Sequence, residues 1–517
     1  MLSLKQSAHV APAGIHWGVR YGVSIGFLIV LALYVLNGVG ANSYILVFAA
    51  VAGGYMAMNI GANDVANNVG PAVGSGALGL GAAIAIAAVC EAAGAIIAGG
   101  DVVSTIKSGI IDPKLVKDPN EFIWLMAGAL LAGAVWLNFA TWMGAPVSTT
   151  HSIVGGVLGA GLAAGGPEIA NWPVMGSIVA SWVVSPVLGG VIAALALLAI
   201  KRSIMYRDDK LTAAKTYVPI MIAVMAWSCS VYLILKGVKQ IWAAQTYEAI
   251  IIGSLIAVIV YFVSRRAIVK RAEIIENSRA SVNDMFTIPL IFAAGLLSFA
   301  HGANDVANAI GPLAAIVDAI NAGGIHSKAA IPFWVMMIGA SGLVIGLMMF
   351  GPRLIRTVGG EITELDKTRA FCIMLAAAVT VIVASQLGLP VSSTHIALGG
   401  VFGVGFLREY LKTRYATELH MILDDHTGEE REKLQAFLDD FQHSPVEEMR
   451  EMIKKAKKKA LEVELKKSER KQLKNIYRQE LVKRKQLYKI VAAWVITVPV
   501  SAGLGAVFYF AIRGVFI

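Results

Sequence analysis

The sequence predicts an all-α polytopic membrane protein built from a duplicated unit, with about 10–12 transmembrane helices, broken helical hairpins and a charged helical insert. Three observations carry that prediction. Of 517 residues, 57% are hydrophobic and only 15% charged, whereas soluble domains average roughly 45–50% apolar and about 25% charged. The chain holds 44 Lys/Arg and 34 Asp/Glu, of which 21 and 16 fall between Arg408 and Lys489. The rest of the chain is therefore as charge-poor as a membrane domain. Two different sequence blocks each occur twice, in the same order.

Crossing a ~30 Å hydrocarbon core takes about 20 apolar residues. Runs of that kind begin near Tyr21, Tyr44, Leu78, Phe122, Val174, Tyr217, Tyr247, Phe286, Pro332, Ala370 and Ile490. The first reads as a retained span, because Lys5 and Arg20 flank a stretch holding His9, Pro12 and His16 rather than a cleavable signal. Gly-rich apolar pieces after Pro146 and Pro390 are too short and interrupted to be simple spans. The loops Lys201–Lys215 and Arg265–Arg279 carry five Lys/Arg each, against two between Lys236 and Tyr247, which predicts that the two richer loops are cytoplasmic. Cys90, Cys229 and Cys372 lie in apolar stretches and imply no disulfide framework. The expected organisation is a first transmembrane repeat at 1–200, linker loops and connecting helices at 201–282, a second repeat at 283–407, a charged cytoplasmic helical insert at 408–489 and a final helix at 490–517.

The first repeated block is Gly61-Ala62-Asn63-Asp64-Val65-Ala66-Asn67-Asn68-Val69-Gly70-Pro71, matched at nine of eleven positions by Gly302–Pro312. The second, Gly144–Leu162, matches Gly388–Phe406 at eleven of nineteen. The blocks start 83 residues apart in the first half and 86 in the second, too regular for chance. Duplicated units with short, interrupted apolar segments in matching places point to a secondary transporter with its site at the repeat interface. Whether the repeats are inverted is left open by the count of crossings.

Each block carries chemistry. A carboxylate at membrane depth costs about 2.5–3.5 kcal/mol on insertion scales and needs a partner. Two such carboxylates with four amide oxygens, Asn63, Asp64 and Asn67 with Asn304, Asp305 and Asn308, make a hard-oxygen cation site. The plainer alternative is that these residues cap a helix after a glycine break. In the second block, Pro146 and Pro390 end an incoming helix, and Ser148-Thr149-Thr150 and Ser392-Ser393-Thr394 start an outgoing one. Helix N-termini bearing hydroxyls can grip a tetrahedral oxyanion, and hydroxyl packing between helices is the alternative. His151 and His395 read mainly as hydrogen-bonded buttresses of these loops. Glu91 stands alone in its apolar run without a counterpart near Gly342, a candidate coupling group or substrate-proton partner. Thr105 aligns loosely with Thr357 as a further hydroxyl, and Lys107 and Arg356 read as snorkelling cations. Lys454, Lys455, Lys457, Lys458 and Lys459 suit contact with anionic lipid. No metal-ligand spacing, P-loop, nucleotide-binding glycine pattern or nucleophile–base set is visible, which disfavours an ATP-driven pump and an enzyme.

The paired Gly-Ala-Asn-Asp-Val-Ala-Asn and Pro-Val-Ser-(Ser/Thr)-Thr-His blocks, with Glu91-Ala92-Ala93-Gly94-Ala95 and Asp101–Ile106, resemble the PiT family of inorganic phosphate transporters over about residues 40–410 and the final apolar segment. The resemblance implies two inverted repeats and cation-driven uptake of inorganic phosphate. It implies phosphate binding at Thr105, Ser148, Thr149, Thr150, Thr357, Ser392, Ser393 and Thr394. It places sodium at Asn63, Asp64, Asn67, Asn304, Asp305 and Asn308, and the intact motif in both halves is similar to the sodium-coupled branch. No cofactor is expected beyond sodium as the coupling ion. Expected partners are phosphate, sodium and the lipid bilayer but no nucleic acid; a homodimer and a cytoplasmic regulator of the 408–489 insert are left open. The expected location is the cell membrane, as a multi-pass protein of a bacterial inner membrane. Competing readings keep the fold but transport sulfate or couple to protons, or change class to an anion channel or a transporter-like receptor. Asn68, in place of the small residue found at Ala309, and an insert placed after the second hairpin depart from the family pattern.

Overall fold

A computed structural model gives the structure of residues 16–39, 44–116, 118–143, 147–237, 242, 244–322, 331–361, 365–412, 429–444, 452 and 484–516. Among these residues the chain is helical, and its single extended pairing is an isolated bridge between Ile111 and Ala170. Eleven helices are long and apolar enough to cross a membrane, beginning at Trp17, Tyr44, Leu80, Pro119, Trp172, Lys210, Thr246, Arg279, Phe333, Lys367 and Val495. These starts follow the apolar runs of the sequence. Most of the insert, including the Lys454–Lys459 cluster, lies outside the described residues, which hold one helix of it at Glu429–His443.

In chain order the helices are α1 (Trp17–Tyr34), α2 (Tyr44–Asn63), α3 (Val65–Gly74), α4 (Leu80–Ala98), α5 (Gly100–Ser108), α6 (Pro119–Trp142), α7 (Thr149–Gly165), α8 (Trp172–Ile200), α9 (Lys210–Tyr232), α10 (Thr246–Ala272), α11 (Arg279–Met285), α12 (Thr287–Ala322), α13 (Phe333–Glu361), α14 (Lys367–Gln386), α15 (Ser393–Lys412), α16 (Glu429–His443) and α17 (Arg484–Phe516). Short polar caps start the spans: Asp118 accepts from the Asn120 amide beside Pro119, Asn171 from Val174, and Asp366 from Arg369. Asp209 opens α9 in the same way, and the hydrogen bonds it receives from Thr212 hold its carboxyl below the usual carboxylate range. Asn277 accepts from the Lys210 amide and donates to the Asp208 carbonyl. That cross-tie puts the two lysine- and arginine-rich loops at one end of the bundle.

The two halves are packed alike. The first hairpin helix, α7, lies against α6 and α17, and the second, α15, against α14 and α8. The last span, which follows the insert, thereby completes the first half. Small residues at repeated positions allow this. A Cβ on Gly159 would sit 2.0 Å from the Ala502 carbonyl oxygen, and one on the matching Gly403 would sit 2.0 Å from that of Gly190. Close backbone approach of this kind drives helix association where lipid supplies no hydrophobic force.

Lys107 departs from its expected role. It does not snorkel: it is 4% exposed and paired at 3.0 Å with Asp318 of α12. The carboxylate partner across the packed face of α5 offsets the cost of burying the amine at that depth. The backbone of Arg356 and Thr357 continues α13, and their side chains lie outside the described residues.

Candidate functional site

The two copies of the Asn-Asp block take different local structures. The helix breaks for one residue at Asp64, between α2 and α3, whereas α12 runs unbroken through Asp305. Neither copy starts a helix in the manner of a capping motif; the Asp64 side chain makes no capping bond. Its carboxylate turns instead to the hairpins. Oδ2 accepts from Thr149 Oγ1 at 2.7 Å and Oδ1 from Thr394 Oγ1 at 3.1 Å. Asp305 Oδ2 accepts from Ser393 Oγ at 3.3 Å.

The amides cross between halves. Asn67 donates to Thr394 Oγ1 at 2.9 Å, and Asn308 donates to Thr149 and Thr150 at 3.2 and 3.1 Å. Asn304 donates to Ser385 and the Leu389 carbonyl, and accepts from the Val391 amide. Among the described residues the buried Asn63 Nδ2 has no partner, and neither have the buried oxygens Asp305 Oδ1, Asn308 Oδ1 and Asn68 Oδ1. Orphaned hard oxygens beside two carboxylates are the donor set that a small hydrated cation takes.

The hydroxyl cluster divides its work. Ser148 and Ser392 cap α7 and α15 by accepting from the His151 and His395 amides, at 3.2 and 3.3 Å, and each keeps a proton to donate. Thr150 donates to the Val391 carbonyl at 2.9 Å, tying one hairpin to the other. Thr105 donates at 2.7 Å to the carbonyl of Gly388, whose φ of 66° lies in the left-handed region that a turn here requires. Asp64, Asn67, Asn304, Asp305 and Asn308 of the two Asn-Asp blocks are thus bonded to the residues of the two hairpins, and Asn63 is not. Thr357 is the expected site residue whose side chain is not described. His151 does not buttress its loop by hydrogen bonding. Its ring nitrogens have no partner among the described residues, and it packs against Trp182 at 3.9 Å and His395 at 4.8 Å between ring centroids.

Glu91 is not alone. Asn68 donates to its Oε1 at 2.8 Å, and His301 Nδ1 lies 2.6 Å from Oε2. His301 Nε2 lies 3.0 Å from Asp305 Oδ2. The imidazole thus stands between two carboxylates, hydrogen-bonded to Glu91 through Nδ1 and in close contact with Asp305 through Nε2, which closes no hydrogen bond among the described residues. Asp64, His301 and Asp305 also offer ligand atoms within 4.8 Å of one another, a cluster that linear spacing did not disclose. Sequence reasoning missed His301. The available signal was its place just before Gly302, where the first half has Ile60. A glycine brings α4 this close: a Cβ on Gly302 would lie 2.2 Å from the Glu91 carbonyl oxygen. Asn68 replaces a small residue because it completes the shell of a glutamate that the second half lacks.

Comparison with known proteins gives the family. The family model described as "Phosphate transporter family" matches residues 60–505. A Helicobacter pylori chain named "Putative phosphate permease" is 52% identical over 505 residues, 95% of each chain. A Pyrococcus abyssi chain of similar name is 38% identical over 365 residues, 70% of this chain and 89% of its own. A solved structure described as "The sodium-dependent phosphate transporter" aligns with a TM-score of 0.74 at 31% identity, covering 92% of this chain and all of that one. The chain, a multi-pass membrane protein and not an enzyme, belongs to the phosphate transporter family.

Proposed function

We propose that this protein takes up inorganic phosphate by symport with sodium, binding phosphate between the N-termini of α7 and α15 and sodium on the two Asn-Asp blocks. The observation that carries the reading is the sharing of one wall: Thr149, Ser393 and Thr394 all spend their protons on Asp64 or Asp305. A carboxylate that holds these hydroxyls also repels an incoming anion. A sodium ion bound by the carboxylates and by the orphaned oxygens of Asp305 and Asn308 neutralises that repulsion and frees the hydroxyl protons for phosphate. Helix N-termini and hydroxyls then hold the oxyanion without a full positive charge. Coupling follows from electrostatics, with sodium binding first. The similarity to a structure described as sodium-dependent supports the choice of ion.

The halves are read as inverted repeats, because the two hairpins present their helix starts to one another while α17 and α8 fill matching places. Loss of sodium would return the hydroxyls to the carboxylates and release phosphate.

The test is radiolabelled phosphate uptake into proteoliposomes under an inward sodium or an inward proton gradient, with excess unlabelled sulfate as competitor. Uptake driven by sodium and insensitive to sulfate is expected. Uptake that follows protons, or that sulfate abolishes, would replace the coupling ion or the substrate.

A further inference from the structure

A second polar group lies beside the hairpin turn and takes no part in the site. Lys236, in the last turn beyond α9, pairs with Asp101 of α5. Their side chains are 14% and 37% exposed, and Lys236 stands in the last turn of its span, at the end away from the basic loops. Asp101 stands four residues before Thr105, and therefore on the same face of α5. That face borders Gly388, where an added Cβ would lie 3.3 Å from Thr105 Oγ1 and 3.7 Å from the Asp101 carbonyl oxygen.

Tyr232, four residues before Lys236, lies on the same face of the helix that carries both. It is 1% exposed, and its hydroxyl sits beside that of Ser385 without closing a hydrogen bond of normal geometry. Ser385 in turn accepts from Asn304 of the second Asn-Asp block. Two polar tracks thus run from Lys236 to the site, one through Asp101 and Thr105 and one through Tyr232 and Ser385. The site at their end is rich in buried carboxylates, with Asp64, Glu91 and Asp305. A phosphate needs a cation to draw it toward such a centre. Lys107 cannot serve, because it points off the opposite face of α5 into Asp318.

From this geometry we propose that Lys236 and Tyr232 form a docking subsite for phosphate ahead of the central site. Phosphate displaces Asp101 from the Lys236 ammonium, takes a hydrogen bond from the Tyr232 hydroxyl, and moves on past Thr105. Asp101 is the stand-in that keeps the lysine charged and aimed when phosphate is elsewhere. The subsite lies at the end of the bundle opposite the basic loops, and so at the outer face under the positive-inside rule. The inference rests on the phosphate reading and deepens it.

The test is radiolabelled phosphate uptake by oriented proteoliposomes, with KM and maximal rate measured from each side. K236Q should raise the outer-side KM about tenfold, the worth of one charge-assisted hydrogen bond, with the maximal rate largely kept and the inner-side KM unmoved. Y232F should raise the same KM by a smaller factor. D101N should lower that KM or leave it unchanged, since it frees the lysine. K236R keeps the positive charge, so its outer-side KM should rise far less than that of K236Q. A purely architectural ion pair gives the contrary result: K236Q and D101N impair uptake alike from both sides, and the swapped pair K236D/D101K restores it. That result overturns the subsite while wild-type phosphate uptake persists. Absence of wild-type phosphate uptake would instead overturn the phosphate reading itself.

Discussion

Asp64 and Asp305 occupy matching places in the two sequence blocks but not the same surroundings. Asp64 has two hydroxyl donors from different hairpins, whereas Asp305 has one hydroxyl and the His301 ring, with one oxygen left orphaned. In the proposed reading either carboxylate is a place for sodium, and each is bonded to a hairpin helix. D64N and D305N should each cut sodium-driven phosphate uptake by about tenfold or more, since each removes a charge-assisted contact from the ion. The readout is the sodium dependence of initial rates, and rates that keep wild-type sodium dependence in both variants would sink the assignment. His301 is a positioning residue held between Glu91 and Asp305. H301Q leaves two buried carboxylates short of a donor, a loss of about 3–5 kcal/mol for breaking a buried pair. A clear fall in the thermal unfolding midpoint of the detergent-solubilised protein is expected; an unchanged midpoint would mean that the ring does not hold the two acids.

Helix packing here depends on backbone contact rather than on interlocking large side chains. Gly302 carries a functional case, because the α4–α12 approach it permits brings Glu91 to His301. G302A should force the two helices apart at a cost of about 1–3 kcal/mol or more, the usual range for overpacking. It should lower both thermal stability and uptake. Gly176, on the outer part of α8, has nothing within 4 Å of an added Cβ, and G176A should leave both unchanged. Equal behaviour of the two variants would show that the close approach is dispensable. At this scale the sequence foretold the hairpins from Pro390 and the hydroxyl run of the second block. It did not foretell that α12 continues through its Asn-Asp block while α2 and α3 break within the first copy. Nearly identical local sequence takes two forms because different neighbours pack against it.

Across the whole molecule, the site is assembled from both halves, so neither half holds it alone. Asn67 reaches Thr394 across 327 residues, and Asn308 reaches back to Thr149 and Thr150 across 159 and 158. Ligands bound to such an interface stabilise the assembled fold by mass action. Phosphate should therefore raise the thermal midpoint when sodium is present and scarcely at all in potassium. A phosphate-induced rise of the same size in potassium would contradict sodium binding first. The architecture was legible in the chain itself, because hydrocarbon forces every spanning backbone into helices whose length and apolar composition are written locally. Duplication was legible as repeated spacing, and the family as paired motifs. Contacts between distant residues had no such linear signal. Glu91 read as solitary because its partners, Asn68 and His301, meet it only when α3, α4 and α12 pack; Lys107 read as snorkelling because Asp318 lies in the other half. Sequence alone determined that this is a duplicated, multi-pass helical protein with hydroxyl and carboxamide blocks at its centre. Only the tertiary structure decided which hydroxyl faces which carboxylate, since that follows from glycine-permitted close approach between helices far apart in the chain.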